Sequence, residues 1–126
     1  MAIIKGMGID IVEISRIAKA IARHGDKFTG KVFTPAEIVL CAQPNETRAA
    51  AAFAGRWAVK EAFYKALPPD IQPYSSWKSV QTLTDAAGKP YIDVCDEQLR
   101  MLLRDNYIHV SISHERTHCV AMVILE

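Results

Sequence analysis

The segment FAGRWAVKEAFYKAL, residues 53–67, constrains the fold of this chain more than any other. Gly55, Ala58, Ala62 and Ala66 recur every three or four residues, which places them on one face of an α-helix. Side chains that small leave room for another backbone to lie closely against them. The same helix carries Arg56, Lys60, Glu61 and Lys65. Glu61 and Lys65 stand one turn apart as an attractive pair, whereas Arg56 and Lys60 stand one turn apart as like charges that repel unless something negative sits nearby. Two readings follow. The charges are a solvated face, with the Glu–Lys pair worth roughly 0.3 kcal/mol, or they are the wall of a site for an anion and a metal. The segment alone does not separate them.

A length of 126 residues with 50% apolar content supports one domain with a real core. No apolar run approaches the ~20 residues of a membrane-spanning helix, and the opening MAIIKGMGIDIVEI lacks a secretory signal pattern. A soluble cytoplasmic protein without a membrane partner is therefore expected. Cys41, Cys95 and Cys119 are widely spaced and read as reduced, buried thiols. No CxxC spacing is present, and the one HxxxH pair, His114 and His118, flanks an expected hairpin turn instead of lying on one helix face, so zinc is not expected. The net charge of +1 conceals an asymmetry: residues 1–67 hold ten Lys and Arg against six Asp and Glu, and residues 68–126 hold five against eight. Nucleic acid would demand a stronger basic excess. A smaller acidic partner fits better.

Residues 3–12 predict a strand, with Ile9 and Ile11 on one face and Gly6, Gly8 and Asp10 on the other. Residues 13–24 have helical periodicity through Ile14, Ile17, Ala18, Ile21 and Ala22 and end at Gly25; Arg16, Lys19 and Arg23 share the opposite face. Thr34, Pro35 and Glu37 form a capping box that opens a short helix to about Ala42. The long helix spans about Thr47 to Leu67, where Pro68 and Pro69 stop it. PPDIQPYSSW, residues 68–77, predicts an irregular connection. Residues 80–84 and 90–94 form a hairpin about Ala87, Gly88 and Lys89. Residues 96–105 predict a helix with Leu99, Leu102 and Leu103 inward, and residues 108–113 and 119–125 a second hairpin. The sum is an α+β fold: an antiparallel sheet of hairpins, which the first strand can join, packed against a long helix.

No GxxxxGK[ST] or GxGxxG motif is present, so a nucleotide would be held by side chains and turn backbones. The short GxG of Gly6 and Gly8 is weak evidence by itself. Asp10, where a strand runs into a helix, and Glu61 are the two acids that stand out. Two carboxylates are a normal protein share of a Mg²⁺ shell that water and phosphate oxygens complete. For Asp10 the alternative is an acid interacting with a helix dipole.

Four segments then resemble one family. GIDIVEISRI at 8–17 resembles the G-x-D-[IL]-V-E-x-x-R-[IV] motif of the holo-acyl-carrier-protein synthases, the small 4'-phosphopantetheinyl transferases. FAGRWAVKEAFYKA at 53–66 resembles their helix motif, and SISHE at 111–115 and GKP at 88–90 resemble two further segments. Order, spacing and length agree across essentially the whole chain.

The resemblance implies transfer of 4'-phosphopantetheine from coenzyme A to a serine of an apo acyl carrier protein, with release of adenosine 3',5'-bisphosphate. It implies Mg²⁺ on Asp10 and Glu61, Glu61 assisting loss of the serine proton, and Lys65 stabilising the departing phosphate. Arg56, Lys60, Lys65, Lys89, Pro90 and His114 would bind coenzyme A, and Arg16, Lys19 and Arg23 would meet an acidic face of the carrier. Members of the family form trimers with active sites at subunit boundaries, so a homotrimer is implied. This chain departs from the family twice. Leu67, Pro68, Pro69 and Asp70 stand where the family continues with a glycine-rich loop, and Gln81 stands where it favours glutamate. Another Mg²⁺-dependent phosphoester enzyme, or a non-catalytic coenzyme A or carrier-binding subunit, are the alternatives.

Overall fold

A computed structural model describes residues 3–126. The chain runs β1 (Gly6–Glu13), α1 (Ile14–His24), α2 (Asp26–Val32), α3 (Pro35–Cys41), α4 (Glu46–Ala66), a 3-10 turn (Gln72–Tyr74), β2 (Val80–Thr84), β3 (Pro90–Val94), α5 (Glu97–Leu102), β4 (Ile108–His114) and β5 (His118–Leu125). This is the expected α+β fold, with every anticipated strand and helix present. The hairpins do not share one sheet, however. β1, β5 and β4 form a three-stranded antiparallel sheet in that order, while β2 and β3 pair separately. The first strand joins the second hairpin, through β5, with Asp10 opposite Ala121 and Gly8 opposite Val123.

Helix α4 lies across the inner face of the three-stranded sheet. Asn45 caps its start by accepting the Arg48 N–H, and its small-residue stripe is fully inside, with Ala58 and Ala62 at 0% exposure. Strand β5 meets it with Cys119, Ala121, Val123 and Leu125, all buried. Strand β1 meets it with glycine. A Cβ at Gly8 would stand 1.8 Å from the carbonyl oxygen of Ala62, and one at Gly6 would stand 1.8 Å from that of Ala66. The GxG pair is therefore a packing device, since only a residue without a side chain lets strand and helix backbones touch.

That contact determines which way β1 faces. Val12 enters the core, while Met7, Ile9 and Ile11 remain 59%, 56% and 65% exposed. The apolar side of this strand is its outer side, because helix backbone fills the space beneath it. Met122 of β5 is exposed as well.

Thr34 and Glu37 form the capping box that the sequence predicts at α3. Helix α2 was not among the expected elements; Gly25, at φ 52°, turns the chain into it, and its Phe28 joins Phe33, Trp57 and Trp77 in an aromatic row. In α5, Leu99 and the following Leu103 are buried but Leu102 is exposed. That helix ends at Leu102, one turn short of the prediction, so only two leucines face the core. Cys41 and Cys119 are buried free thiols and Cys95 is half-buried. No helix among the described residues is long and apolar enough to cross a membrane.

Gly8→Ala tests the strand–helix contact. Overpacking against backbone that cannot move aside should cost upward of about 3 kcal/mol, measured by urea unfolding, whereas Gly30→Ala, inside α2 where a Cβ would meet nothing within 4 Å, should be neutral or stabilise by up to about 1 kcal/mol.

Candidate active site

The approach of β1 to α4 carries Asp10 to the exposed edge of the long helix. Lys65 Nζ lies 3.3 Å from Asp10 Oδ1 and donates to the Ile9 carbonyl at 3.1 Å. The Lys65 side chain is 52% exposed and that of Asp10 17%. An ion pair this open is worth about 0–1 kcal/mol, so its interest is not stability. Glu61 sits one turn before Lys65. Its carboxyl is pushed above the usual range chiefly by burial and next by the negative charge of Asp10, against the opposing pull of Lys65 and Arg16. Asp10 thus meets a carboxylate and an ammonium more than fifty residues further along the chain.

Beside them opens a cavity of about 330 Å³, lined by Lys60, Glu61, Tyr64, Ser75, Ser76, Trp77 and Val80. Its outer wall is the proline-rich connection after α4. Pro68 accepts the N–H groups of Ile71 and Gln72, Gln72 Nε2 donates to the Tyr64 carbonyl at 3.1 Å, and the Trp77 ring stacks on Trp57 with centroids 4.6 Å apart. A folded turn thus stands where the family has a glycine-rich loop. Tyr64, Ser75, Ser76, Trp77 and Val80 were not anticipated as site residues, because nothing in their spacing tells which side of an irregular segment faces inward.

Lys60 differs from its expected role as a phosphate-facing cation. It is 4% exposed, and its Nζ donates to Trp77 O at 2.7 Å, to Val80 O at 2.6 Å and to Glu37 Oε1 at 2.8 Å. An ammonium has three hydrogens, and all three are used. Burial pulls this ammonium below the usual lysine range, and the Glu37 carboxylate opposes that pull. The negative group that the Arg56–Lys60 repulsion called for is internal to the protein. Glu37 was legible only as a capping-box acid, yet its second oxygen also accepts the Thr82 N–H at 3.0 Å.

Arg56 donates to the carbonyls of Thr82 and Ala52 at 3.3 and 3.5 Å and is half-buried. Its guanidinium keeps free donors. His114, at the end of β4, has Nε2 3.1 Å from the Ala51 carbonyl. A carbonyl only accepts, so Nε2 carries the proton and Nδ1 is left for another partner. Gly55 makes room for this ring, since a Cβ there would lie 3.0 Å from His114 Nε2. Ala51 precedes Glu61 by ten residues, or about 15 Å along the helix, so His114 does not join the acid pair within one chain. Lys89 closes the β2–β3 turn, where Asp85 accepts the N–H groups of Ala87 and Lys89, and Pro90 begins β3; neither is hydrogen-bonded to the acid pair. Arg16, Lys19 and Arg23 are exposed along α1, and the charge of Arg16 reaches Glu61.

At position 81 the amide bridges two partners. Thr34 Oγ1 donates to Gln81 Oε1 at 2.6 Å, and Gln81 Nε2 donates to Asp93 Oδ2 at 2.9 Å. A glutamate could not donate to Asp93 and would repel it, which gives this departure from the family a structural reason.

A pair of acids, an adjoining ammonium and a cavity under one long helix are equipment for handling a phosphorylated ligand. Residues 6–123 match the model of the family described as the 4'-phosphopantetheinyl transferase superfamily, and the chain belongs to that family. It is 41% identical over 120 residues to the holo-[acyl-carrier-protein] synthase of Chlorobium chlorochromatii, covering 95% of this chain and 98% of the relative. Its fold matches the crystal structure of the Bacillus anthracis holo-(acyl-carrier-protein) synthase in complex with CoA (3',5'-ADP), with a TM-score of 0.80, 34% identity and coverage of 98% and 97%. The Helicobacter pylori synthase in complex with coenzyme A matches with a TM-score of 0.78 and 27% identity, covering 95% of this chain and 99% of that one.

Because the Glu61 carboxyl binds its proton more tightly when folded than when unfolded, the fold is favoured at acid pH and loses that stabilisation as pH rises from the ordinary 4.5 through the raised value. Glu61→Gln should therefore raise the melting temperature at pH 7. The gain should vanish as the pH is lowered to about that of an ordinary carboxyl group, which calorimetry at both pH values would show.

Proposed function

We propose that this chain transfers 4'-phosphopantetheine from coenzyme A to the serine hydroxyl of an apo acyl carrier protein, releasing adenosine 3',5'-bisphosphate. The meeting of Asp10, Glu61 and Lys65 beside a cavity carries the reading, and relatives of near-equal length are holo-[acyl-carrier-protein] synthases. The serine oxygen attacks the phosphorus that bears the pantetheine arm. The bond from that phosphorus to the bridging oxygen breaks, and the electron pair leaves with the nucleotide. Glu61 takes the serine proton directly or through a water. Lys65 stabilises the phosphate that departs and is placed to protonate it. The cavity beside Glu61 receives the arm of coenzyme A.

The residues present fit a magnesium ion. Two neighbouring carboxylates, one destabilised by the charge of the other, suit a cation that keeps water and phosphate oxygens in its shell. Bound between Asp10 and Glu61, it would neutralise the diphosphate and the charge that develops on it. Arg56, Lys89, Pro90 and His114 belong to the coenzyme A site in this reading. The distance of His114 from the acid pair, about 15 Å along α4, supports assembly of one site from two subunits, and the exposed Met7, Ile9, Ile11 and Met122 supply an apolar sheet face on which copies can meet. A homotrimer is the proposed assembly. Arg16, Lys19 and Arg23 leave the acid pair along α1 as a cationic track for an acidic carrier.

Incubation with coenzyme A, Mg²⁺ and apo acyl carrier proteins should add the mass of phosphopantetheine to a carrier; no gain on any of them contradicts the reading. Glu61→Ala should lower kcat at least about 100-fold, and chelation of divalent cations should abolish turnover until Mg²⁺ is restored. Replacing Arg16, Lys19 and Arg23 together by Glu should raise KM for the carrier at least about tenfold at low salt and leave KM for coenzyme A unchanged.

A further inference from the structure

Lys60 adjoins Glu61 in sequence and lines the same cavity, yet has no donor free for a ligand. Its two carbonyl partners, Trp77 and Val80, lie three residues apart on the cavity wall. The intervening turn is closed from within: Ser79 N–H donates to Ser76 O at 3.1 Å, and Ser76 N–H donates to Ser79 Oγ at 2.9 Å. Cys95 N–H ties the same turn to the end of β3 by donating to Ser79 O at 2.8 Å. Among the described residues only Lys60 fastens it to the helix that carries Glu61 by a polar side-chain bond; the Trp57–Trp77 stack is an apolar link.

Lys60 is in turn held by Glu37, which is 0% exposed. Besides Lys60, Glu37 accepts from Thr34 N–H at 3.0 Å and from Thr82 N–H at 3.0 Å. The pair therefore joins α3, α4, β2 and the 76–79 turn at one point. Replacing a buried, satisfied ion pair by apolar residues of similar volume often leaves stability unchanged or improves it. Here, however, the pair also satisfies the Trp77 and Val80 carbonyls and the Thr34 and Thr82 N–H groups, which apolar residues would leave unpartnered at about 1–3 kcal/mol each.

We propose that Lys60 is a positioning residue: its Glu37-anchored ammonium holds the Trp77 and Val80 carbonyls and so keeps the wall of the coenzyme A cavity at a fixed distance from Glu61. This rests on the transferase reading. Transfer demands that the donor phosphorus and the attacking oxygen be held in line, and a misplacement of about 1 Å is enough to cost some 100-fold in rate. A lysine that sets the wall acts on coenzyme A and on kcat and leaves carrier recognition by α1 alone.

The test uses the full chain carrying Lys60→Met with Glu37→Met, which removes both charges and fills their space. The expected result is a protein with native circular dichroism whose KM for coenzyme A rises at least tenfold and whose kcat falls, with KM for the carrier unchanged. Titration calorimetry with coenzyme A should show the same weakening without turnover. A merely structural pair would lower the folded fraction and leave both constants of the folded molecules alone, and that result overturns the proposal. Lys60→Arg gives an independent reading should the double variant not fold. It keeps a cation opposite Glu37 but cannot place a compact three-donor group between two carbonyls, and unchanged coenzyme A affinity in it overturns the proposal equally. An inactive wild-type chain would instead strike at the transferase reading, which keeps the two failures apart.

Discussion

The contact between the backbones of β1 and α4 is the constraint on which the rest depends. Gly6 and Gly8 stand over the carbonyls of Ala66 and Ala62 with no room for a methyl group, and the alanine stripe of α4 is the matching surface. A strand that approaches a helix this closely has its next inward residue at the helix edge. That residue is Asp10, and it meets Lys65 and the field of Glu61. The same geometry turns Met7, Ile9 and Ile11 outward, so one packing solution yields both a charged cluster and an apolar face.

A second organising point lies on the other side of α4. Glu37 and Lys60 are buried together with almost every donor and acceptor matched, which is the condition under which buried charge is tolerated. The helix is thus pinned along one side by glycine contacts and along the other by an ion pair. Glu61, between them, is left half-buried at the mouth of the cavity. Burial and a neighbouring charge together hold its carboxyl above the ordinary range.

Much of this was legible in the sequence, for identifiable reasons. The capping box of α3, the glycine turn before β3 and the stripe on α4 are local signals, and each appears where local chemistry places it. The resemblance in four segments pointed to the right family. What escaped was decided by tertiary contact. Repulsion between Arg56 and Lys60 showed that an anion was needed, but nothing local distinguished a ligand phosphate from Glu37, some twenty residues upstream. Likewise, the alternation of β1 gave its two faces without showing which was inside, because a rule that buries isoleucine does not foresee helix backbone taking the space. The division of the hairpins between two sheets is a matter of long-range pairing, to which spacing is blind.

This packing brings Asp10 and Glu61 into electrostatic contact. Carbon-13 NMR titration of the Glu61 carboxyl, assigned with Glu61→Gln, measures that contact directly. The midpoint should lie above the ordinary 4.5 and move down when Asp10→Asn removes the neighbouring charge. A Glu61 that titrates at its ordinary value in both proteins would contradict it.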